Sequence, residues 1–450
     1  MAAVYDGTRG KLRPRMNPVP ERRPLVAGLG PLSATALVAG NMIGSGIFVM
    51  PGSLAEQAGP VSLVAWLIVA LGFLALTGVF ADLGGAFPSS GGPTAFVHRA
   101  FGPTAGLVVA WLYWSCVVIG NAGFLTAFVA YLAVFLPWVK APLPAFLVAQ
   151  ALLWSLTLVN ALGVKAGGAV QTVTTVLKVL PLLLLVVVLV PHADTANLAP
   201  FAPHGLGAIL PSIALVSWLF VGSESITGAG EEVAGGGVTI RRAAYAGYLL
   251  ATAIYVGIAL SLSLALPAAE IAGRADPLAV VALRFLGTTG QTVVSAGALI
   301  SIAGVLNGWL LVAGRVPLAA ADAGYAPRAF AAIHPRTRVP LLALLVSSAA
   351  TSVLASLYFV QSLLDAYEAV VLLATATSLA AIGAACLALV KLVEREPDRF
   401  PPAARRRARL LAIAGYTIVL LMITGAGTPV ILLTGLCAVA PLPFRRAIRR

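Results

Sequence analysis

Twelve apolar stretches follow one another along the 450 residues, at roughly 27–50, 60–82, 104–135, 142–163, 167–190, 206–228, 243–266, 289–320, 339–359, 366–390, 408–425 and 427–443. A hydrocarbon core needs about 20 residues of helix to cross it. Lipid offers no partner to a backbone N–H or C=O, so stretches of this kind cross only as helices. The chain is therefore expected to be an all-α polytopic membrane protein with 12 transmembrane helices. Its composition agrees: 60% of the residues are hydrophobic, 10% are charged and the mean hydropathy is +0.97, against about 25% charged residues in a soluble domain.

The formal net charge of +13 would suggest nucleic acid for a soluble protein, but here its placement sets topology. With the N-terminus inside, 25 of the 29 Lys and Arg fall in cytoplasmic segments, including seven from Lys391 to Arg409. The outside loops hold only Lys140, Arg274 and Arg284, and Lys178 lies within a stretch. Both termini are expected in the cytoplasm of a cell with the protein in its inner membrane, and no nucleic-acid partner is expected.

Residues 1–24 read as a polar, disordered tail, 25–443 as one membrane domain and 444–450 as a second short tail. The apolar stretch after the first tail is too long for a signal-peptide core and has no Ala-x-Ala cleavage pattern. Cys116, Cys386 and Cys437 lie inside spans without metal spacing and read as packing residues.

Two stretches are interrupted where an unbroken helix has no reason to open. In the first, Gly40-Asn41-Met42-Ile43-Gly44-Ser45-Gly46-Ile47-Phe48 places glycines and a hydroxyl at mid-depth. A helix opens there only if protein, water or a ligand takes its freed groups. The bland reading of Gly-x-Gly is close helix packing. The sixth stretch, however, has its own interruption at Ser217-Trp218-Leu219-Phe220-Val221-Gly222-Ser223-Glu224-Ser225, five spans later. Paired breaks in two five-helix halves indicate an inverted-repeat transporter with its site at the midplane. The repeats are expected at about 27–190 and 206–390, with the last two helices, about 408–443, outside them.

At the first break, the amides around Ile43, Gly44, Ser45, Gly46 and Ile47 suit a carboxylate, aided by the positive end of the half-helix that follows. At the second, carbonyls and hydroxyls near Trp218, Val221 and Ser223 suit an ammonium. A zwitterion fits between the two, so the substrate is expected to be an amino acid or related amine. Glu224 lies deep in a span, where a charge costs at least about 2.5–3.5 kcal/mol. It reads as a proton carrier or partner of a cation, against a structural role as a hydrogen-bonded acid. Lys178 can donate to carbonyls freed by the first break, in the place where a sodium-coupled relative would hold its cation; the alternative is snorkelling to the interface. Trp218, one turn before the break, can fold over a bound ligand, and Trp309 stands in mid-span between polar and small neighbours. The histidines His98, His192, His204 and His334 lie in loops or at span edges and receive no role.

These residues resemble the amino acid–polyamine–organocation (APC) transporters, and among them the basic amino acid/polyamine antiporter branch. The likeness rests on Gly40 to Phe48, Gly91-Gly92, Arg99 to Pro103, Leu112-Tyr113-Trp114, Ile119-Gly120-Asn121, Trp218 to Ser225, Gly308-Trp309, Asp322 to Pro327 and His334 to Thr337. It implies the five-plus-five, LeuT-like fold with discontinuous helices 1 and 6. In it a bundle of helices 1, 2, 6 and 7 rocks against a scaffold of helices 3, 4, 8 and 9, and a homodimer through helices 11 and 12 is plausible. It also implies substrate contacts at Ser45, Gly46, Ile47, Trp218, Val221, Asn121 and Trp309, and gating or proton coupling at Tyr113, Trp218 and Glu224. Where the branch's arginine/agmatine antiporters have a tyrosine and a serine in helix 10 and a cysteine in helix 3, this chain aligns Ile382, Ala374 and Val117. Lys178 matches the helix 5 lysine of proton-coupled and broad-specificity permeases.

The expected function is thus alternating-access amino acid transport, by proton coupling or exchange and without sodium, for neutral or broad-range substrates. Arginine/agmatine exchange is the alternative. A channel or metal-ion carrier fits less well, since one carboxylate supplies too few hard oxygen ligands, and no metal or cofactor is expected. No His-Glu-x-x-His, paired carboxylates or Gly-x-x-x-x-Gly-Lys-Ser/Thr loop points to an enzyme or an ATP-driven pump.

Overall fold

The computed structural model describes residues 3–6, 11–14, 29–88, 91–163, 168–324, 326–358 and 363–443. Most of both predicted tails, Lys165 and Tyr325 lie outside the described residues.

The helices are α1 (Pro31–Met42), α2 (Gly46–Gln57), α3 (Ser62–Ala86), α4 (Gly92–Phe101), α5 (Pro103–Leu132), α6 (Pro142–Ala161), α7 (Gly168–Leu189), α8 (Ile209–Phe220), α9 (Gly236–Ala265), α10 (Pro277–Asp322), α11 (Leu341–Tyr358), α12 (Leu363–Arg395), α13 (Pro402–Gly425) and α14 (Thr428–Val439). Among the described residues, ten helical segments are long and apolar enough to cross a membrane, α1 with α2 counting as one. The apolar parts of α11 and α14 are shorter, which matches the expected positions of the ninth and twelfth spans but not a full crossing length.

Several boundaries differ from the sequence reading. The N-terminal tail, expected without order, carries an antiparallel pair, β1 (Ala3–Asp6) with β2 (Lys11–Pro14). Such an isolated pair is marginal in water. α4 occupies a segment expected to be loop. It is bounded by Gly91, Pro93 and Gly102 and buries Phe96, Val97 and Ala100 on one face. α10 starts a dozen residues early but is interrupted at Gly287 (φ +70°), so the predicted span is the part after that kink. α3 runs past residue 82, which places Asp82 inside a span as a third deeply buried ionisable group, 1% exposed.

Packing divides the helices into two groups. α3 packs on α8 and α9, and α1 on α9. In the second group α5 packs on α10, α11 and α6, and α11 on α6 and α10. The second group is joined by polar pairs across helices: Trp114 Nε1 donates to Ser347 Oγ (2.9 Å), Thr157 and Ser348 share a hydrogen bond (2.8 Å), and Asn160 Nδ2 donates to Asn307 Oδ1 (2.8 Å). Where lipid surrounds helices, such bonds serve as glue that apolar contact alone does not provide. α12 packs on α5, α8 and α13, touching both groups.

The basic end of the molecule is tied by ion pairs. Asp82 Oδ1 accepts from Arg407 (2.5 Å) and faces Arg241 (3.3 Å), joining α3, α13 and α9. Arg99 donates twice to Glu396 (2.7 and 2.6 Å), which also pairs with Arg399 (3.2 Å), and the Arg99 guanidinium lies 4.6 Å from the Phe87 ring centroid. These bonds from Arg99 hold the Glu396 carboxyl below its ordinary value. Its stabilising contribution is therefore fully present above the ordinary carboxylate range and fades as pH falls through the lowered folded-state value. Exposed pairs of this kind contribute about 0–1 kcal/mol. Glu396→Gln is expected to lower the melting temperature by no more than about 2 °C at neutral pH, and by less as pH falls below the ordinary carboxylate range, as read by thermal denaturation in detergent.

Candidate functional site

α1 ends at Met42, and α2 begins at Gly46, so the first helix is open at Ile43-Gly44-Ser45. The Ile43 N–H still bonds Ala39 O, while Phe48 and Val49 N–H both reach Ser45 O. The amides of Gly44, Ser45, Gly46 and Ile47 have no backbone partner among the described residues. They stand at the N-terminus of α2, where orphan N–H groups and the helix dipole favour an anion.

The second break follows α8. Val221 turns to an extended conformation, Gly222 takes φ +109° and a run of 3-10 turns over Ser225–Glu232 replaces further α-helix. Val221 N–H bonds Trp218 O instead of the helical acceptor Ser217 O, and Ser225 N–H bonds Gly222 O instead of Val221 O. Ser217 O and Val221 O thereby lose their helical i+4 partners. Tyr255 hydroxyl holds the neighbouring Leu219 O (3.0 Å).

The breaks abut. A Cβ on Gly222 would stand 2.9 Å from Asn41 O and 3.0 Å from Asn41 C, and one on Gly46 would stand 2.7 Å from Leu219 Cγ. Unpaired amides of one helix and carbonyls that have lost their helical partners in the other are thus brought together in the buried centre of the molecule.

Lys178, 1% exposed, donates to Gly40 O (2.7 Å) and Ile43 O (3.2 Å), the last carbonyls before the first break. It does not snorkel. Glu224, also 1% exposed, accepts from the Gly222 N–H (3.0 Å) through one oxygen and from the Tyr113 hydroxyl (3.1 Å) through the other. The carboxylate thereby supports the turn that makes the second break.

Trp218 and Trp309 meet with ring centroids 5.6 Å apart, and Phe124 of α5 completes the box at 5.7 and 5.3 Å. Gly120 leaves room for it: a Cβ there would stand 2.6 Å from Trp218 Cη2 and 3.1 Å from Trp309 Cζ3. One residue on, Asn121 is fully buried and neither atom of its amide has a partner among the described residues. Ser223 Oγ is likewise buried and unpartnered. Buried polar atoms left this way are uncommon and call for a ligand or water.

Two aromatics escaped the sequence reading. Phe124 looks like any apolar helix residue, and Tyr367 of α12 shares a 2.9 Å hydrogen bond with Ser45 Oγ across 322 residues of chain. α12, the expected tenth span, thus brings a hydroxyl to the first break from Tyr367, while Ala374 and Ile382 are buried apolar positions. Cys116, next to Val117, stands near Glu224 and near Ser378 of α12, giving that end of the site polar groups the aligned positions lack.

The chain is similar to transporters across nearly all of this architecture. A family model described as amino acid permease matches residues 29–442. The cadaverine/lysine antiporter of Escherichia coli K12 is 30% identical over 67% of this chain and 68% of its own. The branched-chain amino acid permease BcaP of Bacillus subtilis is 27% identical over 82% of both chains, and the putrescine transporter PotE of Escherichia coli is 26% identical over 86% of this chain and 88% of its own. The chain belongs to the amino acid permease family of the APC superfamily, and is a membrane transporter rather than an enzyme.

Proposed function

We propose that this protein carries amino acids or related amines across the cell inner membrane by alternating access, with the zwitterionic end of the substrate held between the two helix breaks. The observation that carries the reading is the abutment of the two breaks, one with the unpaired amides of Gly44 to Ile47 and the other with the carbonyls of Ser217 and Val221, which have lost their helical i+4 partners. Ten crossing segments and two shorter apolar helices among the described residues are in keeping with twelve spans; the proposal places both termini in the cytoplasm and arranges the spans as a five-plus-five inverted repeat. The group of α1, α3, α8 and α9 would then rock against that of α5, α6, α10 and α11. Lys178 fills the place by the first break with an ammonium, which supports transport without sodium.

For the side chain, one observation favours basic amino acids and polyamines exchanged against one another. Glu224 is a buried carboxyl beside Tyr113 and Cys116, a group that favours a cationic over a purely apolar side chain as its neighbour. The names of two of the relatives, a cadaverine/lysine antiporter and a putrescine transporter, lean the same way.

Thermal shift of the purified protein against the twenty amino acids, agmatine and polyamines reads the substrate class, because a bound ligand stabilises by mass action. Shifts from lysine, arginine and diamines support the basic reading; shifts from leucine and its like alone return the neutral one. Shifts from none count against the site altogether. In proteoliposomes, Glu224→Gln is expected to weaken the binding of basic substrates and to flatten the dependence of transport on pH. An unchanged pH profile assigns the proton to another group.

A further inference from the structure

Two arginines converge on one carboxylate oxygen where α3 packs against both α9 and α13. Asp82 Oδ1 takes Arg407 Nη2 at 2.5 Å and Arg241 Nη2 at 3.3 Å; the Asp82 side chain is 2% exposed, the two arginine side chains 49% and 40%. The buried carboxylate thus holds two guanidinium groups side by side and leaves their outer edges open. A guanidinium carries five N–H donors in a rigid fork, and each of these turns one nitrogen to Asp82. A single carboxylate also leaves one of the two positive charges uncompensated. Next to them in the chain, Arg242 and Arg406 are exposed and without a partner among the described residues, which adds charge of the same sign. The nearby acid Glu394 is already faced by Arg409 at 3.8 Å.

Below the pair, packing closes the space between α9 and α13. A Cβ on Gly78, one turn deeper in α3, would stand 2.8 Å from Leu411 Cδ1 and 2.9 Å from the Tyr245 hydroxyl. Leu410 and Ile413, 59% and 60% exposed, begin the outward apolar stripe of α13 within two turns of Arg407. The arginine pair therefore stands where hydrocarbon gives way to headgroups. We infer that Arg241 and Arg407, held together by Asp82, seat the phosphate of an anionic phospholipid at this boundary. Guanidinium forks match phosphate oxygens two at a time, and basic clusters at the end of a span draw anionic headgroups. The surplus positive charge repels the ammonium of a zwitterionic lipid. A lipid held there ties α3 and α9 to α13.

The test is native mass spectrometry of the full-length purified protein, titrated with phosphatidylglycerol and, separately, with phosphatidylcholine. The wild type is expected to hold phosphatidylglycerol at least about tenfold more tightly. Asp82→Asn combined with Arg407→Gln removes one charge of each sign, so net charge is kept and no carboxylate is left buried alone. It is expected to weaken phosphatidylglycerol binding roughly tenfold. Arg407→Lys keeps the ion pair without the fork and should weaken it several-fold, which preserves the test if the double variant does not fold. Arg328→Gln, which removes a charge in the α10–α11 connection, should bind as the wild type does. Equal affinity for the two lipids, wild-type affinity in the fork variants, or an equal loss in Arg328→Gln overturns the assignment. Displacement of phosphatidylglycerol by inorganic phosphate also overturns it, returning a site for a soluble anion.

Discussion

Gly222→Ala is expected to abolish transport, with the rate in proteoliposomes falling at least about 100-fold. Two costs act at once. At φ +109° an L side chain is strained by about 1–3 kcal/mol. The new Cβ would also sit 2.9 Å from Asn41 O, a backbone atom in the last turn of α1 that cannot rotate aside. Relief comes only from separating the two breaks, which is the arrangement on which the clamp depends. Gly46→Ala meets side chains of Leu219 and Trp218 that can shift, so a smaller loss is expected there. Gly228→Ala, with nothing within 4 Å of the added Cβ, should transport like the wild type. Equal activity for Gly222→Ala and Gly228→Ala would mean that the breaks need not touch.

Lys178→Met is the second large effect. Methionine fills nearly the same volume but offers no donor, so Gly40 O and Ile43 O lose the ammonium that both now accept from. An unsatisfied buried acceptor costs about 1–3 kcal/mol, and here two lie beside the opening of the first helix. Transport should fall at least about 30-fold, while the protein still purifies as a folded species with helical content unchanged by circular dichroism. Wild-type rates in this variant would reduce Lys178 to a packing residue.

The site was legible in the sequence wherever a residue type was out of place. Gly-Ser-Gly and Gly-Ser-Glu in apolar stretches, and a lysine among Val176, Leu177, Val179 and Leu180, have no business in lipid unless another helix answers them. The breaks lie at Ile43-Gly44-Ser45 and Val221 to Glu224, inside the segments read from those residues. Phe124 and Tyr367 were not legible, because an aromatic in an apolar helix has the same local signature whether it packs or lines a site. Their role depends on which face meets which helix, and Tyr367 meets Ser45 from the far end of the chain. Asp82 was hidden for another reason: its partners Arg241 and Arg407 come from the opening turns of α9 and α13, far along the chain, so periodicity placed it at a span edge. α4 could have been found from Gly91, Pro93 and Gly102, which punctuate a short helix with one apolar face.

The most direct test of the zwitterion clamp is counterflow in proteoliposomes loaded with unlabelled amino acid and diluted into the same amino acid carrying a radiolabel. The clamp predicts labelled uptake by the wild type without sodium, reduced when the α-carboxyl is esterified or the α-amino group is acetylated, and lost in Gly222→Ala. Uptake that ignores both blocked ends, or a wild type that exchanges no amino acid at all, would contradict it.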